Sequence, residues 1–145
     1  MTIAEVRLDH HGSCACGAVS VRVKGFAVAM TECWCADCQK ETGGSPTHSV
    51  IVDDEDLVME RESLGRFERV SDSGRKITRL FCRECGTSIA ARPEDVPYTG
   101  LRVGVLDDRS FFRPQIVLYA RNAPDWASFP EHANIFDTQP EAAAR

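Results

Sequence analysis

The sequence contains no apolar run approaching the roughly 20 residues that a membrane-spanning helix requires, so no helical crossing of a bilayer is expected. Positive charge is not clustered either. The 17 lysines and arginines are dispersed among 22 acidic residues, and the formal charge is −5. Nucleic-acid backbones are bound by clustered cations, so no nucleic-acid partner is expected. The first residues, Met1-Thr2-Ile3-Ala4-Glu5-Val6-Arg7, show no basic segment leading into an apolar one. No signal peptide is therefore expected, and the cytoplasm is the default location. Internal repeats, low-complexity tracts and linkers are lacking. The 145 residues read as one domain, with a core over about 12–130 and a fraying tail over 139–145.

Sustained helical periodicity is also missing. Apolar residues come in short runs divided by Gly, Pro, Asp and Ser, which points to an all-β domain with few short helices. Residues 19–23 alternate apolar and polar and read as a half-buried strand. Residues 26–33 read as a second strand that ends in a cysteine cluster, and 47–52 as a third. Residues 36–42 read as one helical turn, stopped by Gly43 and Gly44. Residues 67–70 and 76–81 flank Ser71-Asp72-Ser73-Gly74, a hairpin signal. Further strands are expected over 87–91, 101–106 and 116–119, and a short helix at Pro124-Asp125-Trp126.

Cysteine is what the sequence has in excess, with seven residues. An odd number cannot all pair within one molecule, and Cys-x-x-Cys spacing in a reducing compartment points to metal. Cys82-Arg83-Glu84-Cys85-Gly86 has the spacing of a zinc knuckle, in which Gly86 permits a tight backbone exit. Cys14 and Cys16, at i and i+2, are expected on one face of an extended segment. These two pairs together make an economical four-thiolate structural zinc site. Cys33-Trp34-Cys35-Ala36-Asp37-Cys38 holds the other three cysteines. Three thiolates can hold a second Zn²⁺ and leave a position for water or substrate, as in catalytic zinc sites. One alternative is a second structural centre closed by His48 or Asp37. Another is a partition in which Cys14 and Cys16 join part of the triplet, leaving Cys82 and Cys85 short of partners.

A resemblance follows from the spaced motifs Gly12-Ser13-Cys14-Ala15-Cys16-Gly17, Cys33-x-Cys35-x-x-Cys38, Gly44-Ser45-Pro46 and Arg79-x-Phe81-Cys82-x-x-Cys85-Gly86-Thr87. With Val103-Gly104-x-Leu106-Asp107-Asp108 and Ala123-Pro124-x-Trp126, they resemble the glutathione-dependent formaldehyde-activating enzyme family. Centromere protein V belongs to the same superfamily. The resemblance implies a twisted multi-stranded β fold with two zinc ions per chain. It places a structural zinc on Cys14, Cys16, Cys82 and Cys85, and a catalytic zinc on Cys33, Cys35 and Cys38. It also implies a carbon–sulfur lyase-type enzyme acting on a thiol adduct of formaldehyde or a related aldehyde. Formation of S-(hydroxymethyl)glutathione is the type reaction, with glutathione or another small thiol as partner. The competing readings are a non-catalytic zinc module that binds a protein, and a thiol redox sensor built on Cys33, Cys35 and Cys38.

Outside the cysteines, Ser45 and His48 are candidate substrate contacts, His48 also as a proton carrier. Arg75, Lys76, Arg79, Arg92, Arg102 and Arg121 are candidates for binding the carboxylates of glutathione. Trp34 and Trp126 are expected in the core rather than as substrate platforms.

Overall fold

The short apolar runs become the strands of two sheets. The structure, a computed structural model, describes residues 6–140. Its strands are β1 (Arg7–Ser13), β2 (Ser20–Phe26), β3 (Ala29–Cys33), β4 (Thr47–Asp53), β5 (Leu57–Met59), β6 (Leu64–Val70), β7 (Lys76–Cys82), β8 (Ser88–Pro93), β9 (Tyr98–Arg102), β10 (Ile116–Leu118) and β11 (Asn134–Ile135). One α-helix, α1 (Ala36–Thr42), lies between β3 and β4. The smaller sheet has the order β1-β2-β5, and the larger, twisted one has the order β11-β10-β3-β4-β9-β8-β7-β6. Pairing is antiparallel except at β10, which runs parallel to both β3 and β11.

Alternation decides which faces meet. In β2, Val21 and Val23 are buried while Ser20, Arg22 and Lys24 are exposed. The two valines join Leu8 of β1 and Val50, Val52, Ile89 and Leu101 of the larger sheet in one core cluster. Each buried aliphatic side chain contributes roughly 1.5–3 kcal/mol. Strand β1 meets the segment that follows β9 at Gly12, whose backbone bridges Leu106. A Cβ on Gly12 would lie 1.8 Å from the Val105 carbonyl oxygen, so only glycine permits this approach.

Several boundaries differ from the sequence reading. Residues 26–33 are not one strand. Phe26 pairs with Arg7 in the smaller sheet and Ala29 with Ile51 in the larger, so the chain changes sheet over Ala27 and Val28. The expected strand 101–106 stops at Arg102, and Val103–Val105 forms a 3₁₀ turn that buries both valines. Pro124-Asp125-Trp126 makes a turn closed by the Ala127 amide on the Pro124 carbonyl, 2.9 Å, rather than a helix. Strand β1 was not expected. Of its residues only Leu8 is a large apolar one, and the strand exists because β2 supplies its partner. Among the described residues no helix is long and apolar enough to cross a membrane. Of the tail expected over 139–145, residues 141–145 lie outside those described.

Candidate metal centres and the adjoining cleft

Two turns from distant parts of the chain bring four sulfurs together. The first is built around Cys14, whose amide donates to the Val19 carbonyl (2.9 Å) and whose sulfur accepts from the Val19 amide (3.2 Å). This segment is not the extended stretch expected from the i, i+2 spacing. Gly17, at φ 83°, folds it into a turn that buries Cys14 and exposes Cys16. The second turn follows the knuckle expectation. The Gly86 amide reaches back to the Cys82 carbonyl (2.8 Å), and Gly86 leaves the turn at φ 78°. The Ala15 amide donates to the Thr87 hydroxyl (3.1 Å) and ties the two turns together.

The Sγ atoms of Cys14, Cys16, Cys82 and Cys85 all lie within 4.8 Å of one another. Cys14 to Cys16 is 3.6 Å and Cys16 to Cys82 is 3.8 Å. Four sulfurs on a tetrahedral zinc with bonds of about 2.3 Å stand about 3.8 Å apart, so this donor set fits zinc. The hydroxyl and amide of Thr87 hold the Cys85 thiol down at about 5, which favours the thiolate a metal needs.

The other three cysteines form a separate group. Cys33 ends β3, Cys35 caps α1, and Cys38 sits buried in the first helical turn. Cys35 is therefore a helix cap, and its sulfur accepts from the Cys38 amide at 3.3 Å. The three Sγ atoms again lie within 4.8 Å of one another. Hydrogen bonds from Cys33 and Cys38 lower the Cys35 thiol to about 2, with help from the Arg69 charge. Hydrogen bonding to Cys35 and Cys38, together with burial, pushes the Cys33 thiol far up. Three soft donors suit Zn²⁺ with one coordination position left over.

Among the described residues no histidine or carboxylate completes this group. His48 follows Thr47 in β4 and so projects from the opposite face of the sheet. There its Nε2 meets Oε1 of buried Glu32 at 3.1 Å, and its ring stands edge-on to Phe112. Asp37 is engaged by Arg69 Nη1 at 3.1 Å. Ser45 is exposed in the turn after α1, where its carbonyl accepts from the Thr42 hydroxyl. Cys14 and Cys16 join Cys82 and Cys85 and not the triplet.

A cleft of about 550 Å³ opens on Cys33 and Cys35. The β6–β7 hairpin turn lines it with Ser71, Asp72, Ser73 and Arg75, and Asp37, Arg69, Tyr119 and Gln139 add polar groups. The six candidate cations separate cleanly. Arg79 and Arg102 are occupied by buried Glu41, Arg92 by Thr99 and Asp54, Arg121 by Asp72, and Lys76 by Glu68. Arg75 alone of the six lines the cleft, and it has no ion pair among the described residues. Trp34 is buried as expected, whereas Trp126 is 73% exposed and meets Trp34 edge-on at 6.2 Å.

Sequence reasoning missed Tyr119, Arg69, Glu41 and Thr47. Tyr119 follows β10 at φ 56°, a left-handed conformation that costs a non-glycine residue about 1–3 kcal/mol. Burial, with the nearby Asp72 carboxylate, pushes its phenol up, so the proton stays on Oη at neutral pH. No periodicity signals such a residue. Glu41 did carry a signal, lying three residues after Cys38 on the expected helical turn.

The fold has a solved counterpart. The crystal structure of a Rhodobacter sphaeroides protein, a structural genomics target, superposes with a TM-score of 0.54 at 23% identity, covering 67% of this chain and 87% of that one. That likeness establishes the architecture alone. No curated protein matches the sequence. The sequence profile of the family described as glutathione-dependent formaldehyde-activating enzyme matches residues 9–122, a span that holds both cysteine groups and the strands that carry them. On that match the chain belongs to the glutathione-dependent formaldehyde-activating enzyme family.

Proposed function

We propose that this chain is a two-zinc enzyme of carbon–sulfur lyase type. It acts on the adduct of glutathione, or another small thiol, with formaldehyde or a related aldehyde. The supporting observation is the contrast between the two cysteine groups. Four sulfurs satisfy a tetrahedral metal, while three others, lacking a fourth protein donor, face a cleft. Cys14, Cys16, Cys82 and Cys85 would hold the structural ion, and Cys33, Cys35 and Cys38 the reactive one. A zinc held there would supply one open position, which would keep a bound thiol ionised at neutral pH or polarise an oxygen donor.

The remaining roles belong to the chain's own side chains. Arg75 offers an unpaired guanidinium to a substrate carboxylate. The Tyr119 Oη retains its proton and can donate it toward the aldehyde oxygen. In the forward direction the substrate sulfur bonds to the aldehyde carbon, and the carbonyl oxygen takes up one proton, giving a hemithioacetal. The reverse breaks that carbon–sulfur bond and returns the proton. Free thiols at both centres suit a reducing compartment, so we take the cytoplasm as the setting and the chain as one domain. Nucleic acid has no place in this reading.

Exchange spectroscopy of formaldehyde with glutathione tests it. The zinc-loaded chain accelerates formation of S-(hydroxymethyl)glutathione, and the Cys33→Ser variant, still folded, does not. Equal rates with and without the wild-type chain would remove the proposed activity.

A further inference from the structure

A buried carboxylate close to the cysteine triplet binds side chains from three strands of the larger sheet. Glu41 lies one turn after Cys38 on α1, with its side chain only 5% exposed. Arg102 of β9 grips it with Nε at 2.7 Å and Nη2 at 3.0 Å. Arg79 of β7 adds Nε at 2.8 Å, and Ser88 of β8 donates its hydroxyl. Arg102 has a further bond, from Nη1 to the Ser49 hydroxyl of β4 at 2.6 Å.

The register shows which face this network occupies. Thr47 is the cross-strand partner of Cys33 and hydrogen-bonds Cys38, while Ser49, two residues on, is the partner of Arg102. Side chains at i and i+2 share a sheet face, so Arg102 and the triplet stand on the same side. The Arg102 charge accordingly feels Cys38 and Cys33.

A buried ion network is weak evidence for stability, because apolar packing of equal volume does as well. Its charge count suggests another role. Two guanidiniums and one carboxylate carry a single net positive charge. Three thiolates with one Zn²⁺ would carry a single net negative charge on the same side of the sheet. Arg69, paired with Asp37, acts on Cys35, whereas Arg102 acts on Cys38 and Cys33.

We propose that Arg102, fixed by Glu41 and Ser49, is a positioning residue that supplies the counter-charge of the three-cysteine centre and so sets its metal affinity. This rests on the reading of Cys33, Cys35 and Cys38 as a zinc site.

Competition of the zinc-loaded chain with a chromophoric chelator resolves the two ions. Arg102→Gln weakens the three-cysteine ion about ten- to a hundredfold and leaves the four-cysteine ion unchanged. Arg102→Lys, which keeps the charge and loses the fork, recovers most of that affinity. In cobalt-loaded protein, the charge-transfer band of the three-thiolate centre titrates at correspondingly higher cobalt in Arg102→Gln. A folded Arg102→Gln with wild-type affinity overturns the proposal. So does an Arg102→Lys as impaired as Arg102→Gln, since that pattern marks a role in shape alone. If Arg102→Gln does not fold, Ser49→Ala carries the test, with a smaller loss at the same centre expected and no change overturning the proposal. A wild type that carries one zinc removes the three-cysteine centre, and both readings fall. Two zincs with an indifferent Arg102 remove only this one.

Discussion

The Thr47 hydroxyl donates to the Cys38 sulfur across 3.2 Å. Strand β4 thereby holds the triplet's only buried helical member, and a neighbouring polar atom stabilises its charge. Thr47→Val preserves the β-branched shape and removes the donor. We expect about 1 kcal/mol lower stability in denaturant titration of the zinc-loaded chain. The ion at the three-cysteine centre also becomes easier to strip with chelator. Unchanged values in both measurements would make this hydrogen bond inert.

The two cysteine groups should respond differently to the same chemical change. Cys82 is fully buried and joins the N-terminal turn to the middle of the chain, so Cys82→Ser removes a cross-link between segments 66 residues apart. Metal binding and folding are coupled in such sites. Cys82→Ser should lose cooperative thermal unfolding by circular dichroism. Cys33→Ser should keep it while metal analysis falls from two zincs to one. A Cys82→Ser variant that folds like the wild type would show that the four-cysteine centre is dispensable to the fold.

Arg75 is the cation positioned to meet an anionic substrate. Loss of a charge-assisted hydrogen bond costs about 1.5–3 kcal/mol. Arg75→Met should therefore raise KM for glutathione about ten- to a hundredfold with kcat little changed. The glutathione diester should be insensitive to the substitution. Arg121→Met, which removes a cation already engaged by Asp72, serves as the control and should leave both constants near wild type.

Much of this arrangement was legible in the chain. Thiol chemistry depends on residue identity and spacing, so the division of Cys14, Cys16, Cys82 and Cys85 from Cys33, Cys35 and Cys38 could be read from the chain. Strands with strict alternation, such as that of Val21 and Val23, were equally visible because burial follows period two. What escaped depends on neighbours distant in sequence. Strand β1 has too few apolar residues to announce itself and is completed by its partner β2. His48 could not be assigned a face until the register paired Glu32 with it and Cys33 with Thr47. Arg79, Arg92 and Arg102 look alike in sequence, and only packing separates buried hubs from exposed pairs.

Gly12 offers a test of how β1 packs on the segment after β9. Adding one methyl group places carbon 1.8 Å from the Val105 carbonyl oxygen, an atom of the main chain that has no rotamer to escape through. Gly12→Ala should cost at least about 1–3 kcal/mol in denaturant titration, as overpacking does. It should also loosen the turn carrying Cys14, seen as faster chelator extraction of the four-cysteine ion. Wild-type stability would mean that β1 and the Val105–Leu106 segment can move apart there freely.

The acid limb of stability should carry the signature of Glu41. Burial alone would raise its carboxyl, but hydrogen bonds and charge from Arg102, with Ser88 and Arg79, hold it below the ordinary glutamate value. A folded-state value below the unfolded one means that the folded protein binds this proton less readily. The ionised carboxylate therefore stabilises the fold above the unfolded value of about 4.3, and that contribution drains away as pH falls through the folded value. Glu41→Gln strands the largely buried guanidinium of Arg102 and the partly exposed one of Arg79, and should cost about 3 kcal/mol at pH 7. The gap between wild type and Glu41→Gln should stay constant down to about pH 5 and narrow below it. Acid also strips metal from both proteins, so the difference between the two denaturation series, and not either curve, carries the result. A gap that widened on acidification would show that Glu41 is protonated in the folded chain and that the two arginines are balanced by some other anion.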